Sequence, residues 1–517
     1  MSEAALAESG LLYDGADWDF PLIQRVYGEI EKIARGELGL DPYPNQIEVI
    51  TSEQMLDAYA SVGMPLFYNH WSFGKQFARN EEMYRKGYQG LAYEIVINSN
   101  PCLVYIMEEN TITMQALVLA HAAFGHNHFF RHNNVFKMWT DADGILDYLS
   151  FAKNYIAQCE ERYGQAEVER LLDAIHALQS HGVHRSPRKR RIDLRTEELR
   201  ERERREHGER LFNDLWRTLP DARRRKSARK PDEEKRRALL GLPEENLLYF
   251  LEKTSPRLKP WQREVIRIVR LIAQYFYPQR QTKVMNEGCA TFCHHRIMSR
   301  LHEAGRISDG AFLEFLHSHT NVITQPAFDD KRYSGINPYA LGFAMMQDIE
   351  RICTAPTEED RIWMPEIAGN NDPYGTLREV WANYRDESFI SQFLSPNLIR
   401  RFGLFQINDD AENEDLLIAA IHDERGYRKL RRAISRQYDL AHIDANIQIV
   451  NVDLMADRRL ELEHRMLDGV PLEKQDTERV LQSLANLWGY EVRLVEIDGA
   501  TEETTASHEA SPSAPFA

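Results

Sequence analysis

The sequence predicts a mainly helical α+β protein, and three observations support this fold class. Apolar residues recur at helical spacing in long segments such as FPLIQRVYGEIEKIARGEL, residues 20–38. Residues 93–110 read as two strands joined by a turn at residues 98–101. Near the C-terminus, segments that alternate apolar and polar residues surround one helix that ends at Gly489. We therefore expect a helical core with small β elements and a small C-terminal α+β module.

Length and composition limit the classes of protein to consider. At 517 residues the chain is expected to form two or three domains. The net charge of −16 argues against nucleic acid as the main partner, because proteins that bind phosphates usually carry a basic excess. No apolar run approaches the roughly 18–20 residues of a membrane helix, and the acidic N-terminus lacks the features of a signal peptide. Because the 5 cysteines are scattered and odd in number, we expect no disulfide scaffold and a cytoplasmic location.

Shifts in composition divide the chain into five predicted segments. A charged insertion (184–243) separates the N-terminal half of the core (1–183) from its C-terminal half (244–410). A small α+β module (411–498) and a disordered tail rich in Thr, Ser, Ala and Pro (499–517) complete the chain. The module shows no clustered set of His, Glu and Cys residues in its sequence, so we expect an accessory binding domain without chemistry of its own.

The charged insertion alternates runs of opposite sign, such as RERERREHGER, and contains few large apolar residues. Blocks of charge usually form a solvated surface, so this segment is expected to be partly helical and dispensable for the core. The alternative is a docking surface for nucleic acid or for an acidic partner.

Long motifs extend over nearly the whole ordered chain, and they include FYNHWSFGKQF, MEENTITMQALVLAHAAFGHNHFF, FLHSHTNVITQP and YSGINPYALGFAM. These motifs resemble the SpoVR family, the stage V sporulation protein R-like proteins. The resemblance implies a cytoplasmic bacterial protein linked to formation of the spore cortex or, outside spore formers, to the stress response. It also implies a serine kinase of the same operon as a protein partner. No settled reaction comes with the family.

The stretch ALVLAHAAFGHNHFFRHNNVF, residues 116–136, places four histidines within twelve residues. His121 and His126 are five residues apart, which on an ideal α-helix places them roughly 140° away from a shared face. A helix end or a π-bulge near Gly125 would bring the two rings together. Imidazole is a common ligand of zinc and iron, so these two histidines are candidate metal ligands.

Glu287, in the later segment MNEGCATFCHH, is the candidate for the third ligand. Two histidines followed by a later helix that begins Glu-Gly-x-Ala resemble the zinc metallopeptidases of the HExxxH type, which implies a metallopeptidase-like core. In those enzymes the residue after the first histidine is a glutamate that activates water, whereas this chain has Ala122. His294 shares a helix face with Glu287 and is a further candidate, as a ligand or as a partner of the ligands.

Each of these candidates also has a purely structural interpretation. His121 can be a hydrogen-bonded core residue, and His126 can cap the end of its helix. Glu108 and Glu109 end the strand before the histidine helix, where surface acids are the simpler interpretation than groups that bind substrate or orient a histidine.

His317, His319 and Tyr339 lie in segments rich in Gly, Asn and Pro, which predict loops. Loops often carry function. His319 and Tyr339 are therefore candidate catalytic residues that would stabilise a developing oxyanion.

Two functions remain open at this point. The first is a metal-dependent hydrolase that acts on peptide or cell-wall material and binds zinc, or iron. The second is a scaffold or regulator without turnover that binds a partner protein such as the serine kinase. Ala122 favours the scaffold, whereas the set of His121, His126 and Glu287 favours the enzyme.

Overall fold

The protein is mainly helical with small sheets, so the predicted α+β class is confirmed. The computed structural model describes residues 10–61, 66–86, 94–185, 240–408, 417–420, 422–452, 457–467 and 469–516. Within these ranges, no helix is both long and apolar enough to cross a lipid bilayer.

The chain divides into two compact units, and each unit is built from two separate stretches of sequence. The first unit comprises Met1–Glu169 and Tyr275–Ile443, and the second comprises Arg170–Gln274 and Asp444–Ala517. The small C-terminal module therefore begins later than the predicted residue 411. Most of the charged insertion lies outside the described residues, so its character stays a prediction.

The first unit contains a three-stranded sheet in the order β1-β3-β2. Its strands are β1 (Asn45–Ile50), β2 (Glu94–Ile97) and β3 (Cys102–Met107). β1 is parallel to β3, and β2 pairs with β3 in antiparallel register, which confirms the predicted hairpin. Along β2 the buried Ile95 and Ile97 alternate with Glu94 and Val96, because successive side chains of a strand point to opposite faces.

Helices form the rest of the first unit. Its first stretch contains α1 (Phe20–Gly36), α2 (Ser52–Ala60), α3 (Trp71–Arg85), α4 (Ile112–Val118), a π-helix (Leu119–His126), α5 (Asn127–His132), α6 (Asn134–Trp139) and α7 (Ile145–Tyr163). The chain then enters the second unit within α8 (Gln165–His176), continues there through a short 3-10 helix (Gln179–His181) and α9 (Leu247–Thr254), and returns to the first unit within α10 (Pro260–Gln281).

The second stretch of the first unit is also helical. It contains α11 (Lys283–Glu303), α12 (Asp309–Ile323), α13 (Pro338–Thr354), α14 (Glu358–Trp363), α15 (Pro373–Asn383), α16 (Asp386–Phe393), α17 (Pro396–Arg401), β4 (Gln406–Asn408), β5 (Leu417–Ala420), α18 (Glu424–Gln437) and α19 (Leu440–Ile443). α18 belongs to this unit because Tyr427, Leu430 and Ile434 are buried in its core.

α11 lies at the centre of the first unit, where it packs against the π-helix and α13. Its N-terminus is capped by Asp386, whose carboxylate oxygens accept the N–H groups of Val284 and Met285 at 2.8 and 2.9 Å. These bonds satisfy two of the backbone donors that a helix start leaves without an intrahelical partner. These bonds offset part of the cost of burying Asp386, whose pKa burial still raises to about 7.

The C-terminal part of the second unit is a four-stranded sheet in the order β6-β7-β8-β9. The strands are β6 (Ile447–Val452), β7 (Leu460–Met466), β8 (Val492–Asp498) and β9 (Thr504–Ala510), and α20 (Lys474–Trp488) connects the parallel pair β7 and β8. α20 ends at Gly489, whose φ of 85° is left-handed. The predicted sheet and helix are confirmed.

The predicted disorder of the tail 499–517 is wrong, because β9 lies within it and pairs antiparallel with β8. Without β9, β8 would present a free edge of backbone N–H and C=O groups. Pairing with β8 therefore orders a segment whose composition alone predicts disorder.

The C-terminal sheet also contains a cluster of one buried glutamate and two histidines that the sequence does not reveal. Oε1 of Glu496 lies 2.8 Å from Nε2 of His508, and Oε2 lies 3.3 Å from Nδ1 of His464. Burial alone would raise the pKa of Glu496, but the Leu472 N–H and the two histidines lower it overall. Strand pairing thus brings together residues far apart in sequence, and the expectation that this module is an accessory domain without chemistry of its own stays a prediction.

Candidate metal centre

The two histidines of the motif converge because residues Leu119–His126 form a π-helix. The i→i+5 hydrogen bonds of a π-helix bring residues five apart onto one face, which an α-helix does not do. The ring centroids of His121 and His126 lie 4.6 Å apart, with their planes at 89°. The π-bulge considered from the sequence is present and extends over 8 residues.

Glu287 of α11 faces the histidine pair. Its Oε2 lies 3.5 Å from Nε2 of His126 and 3.9 Å from Nε2 of His121. One ligand atom from each of the three residues lies within 4.8 Å of the other two. Two atoms that bind a tetrahedral ion at about 2.0–2.2 Å are separated by about 3.3–3.6 Å. The three side chains are therefore spaced closely enough to share one ion.

The Oε2 atom of Glu287 is buried and accepts no hydrogen bond from the described residues. The histidine nitrogens are too distant to supply one, since N···O hydrogen bonds are shorter than about 3.2 Å. A buried carboxylate oxygen without a partner costs free energy. A cation between this oxygen and the two Nε2 atoms would remove the cost, so the residues present fit a metal ion.

The other ring nitrogen of each candidate histidine, Nδ1, lies within hydrogen-bonding distance of a neighbouring side chain, which holds the ring in place. Nδ1 of His121 lies 2.9 Å from Nδ1 of His294, and Nδ1 of His126 lies 2.9 Å from Oδ1 of Asn286. Metal-binding histidines usually have such a partner, which fixes the tautomer and the ring orientation. Both Nε2 atoms are left directed towards Glu287. His294 thus lies behind His121 and is not part of the three-residue group.

Small residues allow the ligand-bearing helices to approach closely. A Cβ atom added at Gly125 would lie 2.6 Å from Cα of Ala290 on α11. On the other side of α11, a Cβ atom at Gly288 would lie 2.6 Å from the carbonyl carbon of Gly342 on α13. Gly125 is thus needed for the contact between the π-helix and α11, whereas the sequence suggested a role in the local backbone.

Glu94 is a carboxylate of the site that sequence reasoning missed. It lies on β2, and its Oε1 is 3.7 Å from Nε2 of His121. Burial, followed by the nearby charge of Glu287, raises the pKa of Glu94 to about 8. The signal was available, because a single acid stands in the otherwise apolar strand EIVI. Glu108 and Glu109, considered instead, are exposed beyond the end of β3.

Two tyrosines border the carboxylates. Tyr339 lies in the first turn of α13, not in the predicted loop, because Pro338 suits the start of a helix. Burial and then the charges of Glu287 and Glu94 raise the pKa of Tyr339. The same carboxylates, after burial, raise the pKa of Tyr59 on α2. Both phenol groups are therefore protonated donors beside the centre.

His319 lies on α12 and not in a loop, because helical periodicity continues through FLEFLHSHTNVI and the Gly, Asn and Pro residues come later. Its ring is 4% exposed, and its Nδ1 lies 2.9 Å from Nε2 of His294. His317 is instead exposed and contacts Asn321. The two histidines of this helix thus have different environments, although they are two residues apart.

Two family models match the chain. The model described as SpoVR like protein matches residues 17–443, and the model described as SpoVR-like C-terminal domain matches residues 445–499. The chain belongs to the SpoVR family. It is also 54% identical over 483 residues to Uncharacterized protein YcgB of Escherichia coli (strain K12), an alignment that covers 93% of each chain. No solved structure matches it.

The other polar residues of the family motifs have structural contacts. Nδ1 of His128 accepts the N–H of Asp41 at 2.9 Å, and Nε2 of His132 lies 2.9 Å from the carbonyl oxygen of Asp41. Cys289 and Cys293 are fully buried. The centre of this SpoVR protein therefore rests on the first two histidines of the motif, with two carboxylates, Glu287 and Glu94, and two tyrosine hydroxyls, Tyr339 and Tyr59, from other elements.

Proposed function

We propose that this SpoVR family protein is a metalloprotein with a hydrolase-like centre, in which His121, His126 and Glu287 bind one zinc ion, or iron. The observation that carries the proposal is the convergence of two Nε2 atoms on a buried carboxylate oxygen, Glu287 Oε2, which has no hydrogen-bond partner in the described part of the chain. Two histidines and one glutamate also form the ligand set of many catalytic zinc sites, which keep one position open.

A metal at such a centre supplies a Lewis acid and lowers the pKa of a water molecule. The chain supplies the groups around it. Glu94 brings a carboxyl group from β2 to within 3.7 Å of His121 Nε2, where it can hydrogen-bond a water molecule or a substrate. Glu94 would thereby take the place of the glutamate that the HExxxH enzymes have at the position of Ala122. Tyr339 would donate a hydrogen bond to a substrate oxygen on which negative charge develops.

The proposed substrates are peptides or cell-wall material. The candidate ligand set supports a metallopeptidase-like core, and the link to the spore cortex that the resemblance to the SpoVR family implies supports material of this chemistry. The bond that is cleaved would be a carbonyl derivative such as an amide, because the centre combines a site for water, a carboxyl group and a hydroxyl donor.

Metal analysis tests the proposal directly. The wild-type protein, His121→Ala and the control His317→Ala would be expressed with zinc or iron in the medium, and the metal in each purified protein measured by mass spectrometry. We expect close to one ion per chain in the wild type and the control, and little in His121→Ala. Wild-type protein that binds neither zinc nor iron, even after reconstitution, would overturn the proposal.

The alternative function, a scaffold that binds a serine kinase, requires no turnover. Wild-type protein that retains its metal but cleaves neither peptides nor cell-wall fragments would favour this alternative. A pull-down of the kinase by the wild type and by His121→Ala would then show whether the metal supports binding.

A further inference from the structure

A continuous row of three imidazoles extends from the candidate metal centre into the core of the first unit. Nδ1 of His121 lies 2.9 Å from Nδ1 of His294, and Nε2 of His294 lies 2.9 Å from Nδ1 of His319. His121, His294 and His319 are 5%, 2% and 4% exposed. The three rings come from the π-helix, α11 and α12, so the row joins three separate helices.

The surroundings of His319 keep its ring in place. Its centroid lies 5.6 Å from that of Phe315, 4.8 Å from that of Phe343 and 4.9 Å from that of His295. Burial and then the neighbouring His295 lower the pKa of His319 to about 4. The ring is therefore neutral near pH 7, with one nitrogen that donates a hydrogen bond and one that accepts.

Binding of His121 to a metal would determine the direction of every hydrogen bond in the row. An imidazole that binds a cation through Nε2 carries its proton on Nδ1. His121 Nδ1–H must then donate to Nδ1 of His294, and His294 must carry its own proton on Nε2 and donate to Nδ1 of His319. Nδ1 of His319 accepts this bond when the proton of His319 lies on Nε2, and an acceptor at this place stabilises this tautomer of His294. If His294 took the other tautomer, two N–H groups would face each other at His121.

We propose that His294 and His319 are positioning residues, which hold His121 in the tautomer and orientation that present Nε2 to a metal ion. The inference rests on the proposed metal centre and extends it to a residue of α12 that does not belong to the ligand group. It assigns His319 the role of the terminal hydrogen-bond acceptor.

Zinc affinity of the full chain tests this role. Metal-free wild type, His319→Leu, His319→Asn and His317→Leu would be titrated with zinc in competition with a chromophoric chelator. We expect a 10–100-fold weaker affinity for His319→Leu, the range found for partners of metal ligands. His319→Asn should stay within about threefold of the wild type, because its Oδ1 can occupy the place of Nδ1 and accept the same bond. His317→Leu, on the exposed side of the same helix, should bind zinc as the wild type does.

The cobalt-substituted proteins provide a second readout. A change of the visible cobalt spectrum in His319→Leu, with the wild-type spectrum in His319→Asn, would show that the acceptor controls the geometry at the metal. If His319→Leu does not fold, His319→Asn is compared with His319→Ala, which lacks the acceptor but adds no bulk. Equal zinc affinity with and without the acceptor would overturn the inference. Wild-type protein that binds neither zinc nor iron would instead overturn the proposed metal centre.

Discussion

Gly125 provides a sensitive test of the close approach between the two ligand-bearing helices. A Cβ atom at this position would lie 2.6 Å from Cα and 3.0 Å from Cβ of Ala290. Carbon atoms in contact prefer about 3.5–4.0 Å. In Gly125→Ala, the π-helix and α11 must therefore separate by about 1 Å. The shift moves the helix that carries His121 and His126 away from the helix that carries Glu287, and metal–ligand distances tolerate only about 0.2 Å.

The expected cost follows from the packing. Overpacking of a core by one methyl group costs about 1–3 kcal/mol. If metal binding must bring the helices back to their original distance, this packing cost is subtracted from the free energy of zinc binding. Since 1.4 kcal/mol corresponds to a factor of ten, the zinc affinity should be reduced by about 5–150-fold. Gly28→Ala is the matched control, because a Cβ atom there meets nothing within 4 Å. In the middle of α1 alanine should increase stability by about 0.5–1 kcal/mol.

The assay combines urea unfolding of the metal-free proteins with zinc titration in competition with a chelator. We expect Gly125→Ala to lose both stability and affinity, and Gly28→Ala to gain stability with unchanged affinity. Zinc affinity of Gly125→Ala within twofold of the wild type would refute the argument, because it would show that the site does not depend on this helix contact.

Three further predictions concern the site, the acid stability and the tail. Glu94→Gln should retain its metal, measured by mass spectrometry, and lose at least 100-fold in any hydrolysis of peptides or cell-wall fragments; unchanged turnover would exclude Glu94 from the reaction. Burial lowers the pKa values of His295 and His319 to about 4. Below pH 6.5 the unfolded chain therefore binds protons at these histidines that the native protein does not bind. The free energy of unfolding should fall between pH 6.5 and pH 4 by up to about 3 kcal/mol per histidine. Urea unfolding of the metal-free proteins at pH 7 and 4.5 measures this fall. The free energy of unfolding of His295→Phe should fall less between the two pH values than that of the wild type. An equal fall would contradict the lowered pKa of His295. A chain that ends at Ala500 lacks β9 and the contact of His508 with Glu496; its unfolding temperature should drop while zinc affinity is unchanged, whereas a tail without structural role would leave both unchanged.

The sequence by itself determined the fold class and most of the C-terminal module, because hydrophobic periodicity is a local property. The alternation along β7 and β8 and the helix that ends at Gly489 are visible without any tertiary information. The three candidate ligands were also accessible, since His121, His126 and Glu287 lie in motifs whose residue types suit a metal.

Only the tertiary structure decided which other groups join them. Glu94 reaches the centre through the pairing of β2 with β3, and His319 reaches it because α12 packs beside α11. The π-helix itself places the two histidines on one face, and an eight-residue sequence does not distinguish it from an α-helix. In the second unit, β9 is an ordered strand because it pairs with the edge of β8. These features depend on contacts between residues distant in sequence, and no local pattern of one chain encodes the distance between two helices or the partner of a strand edge.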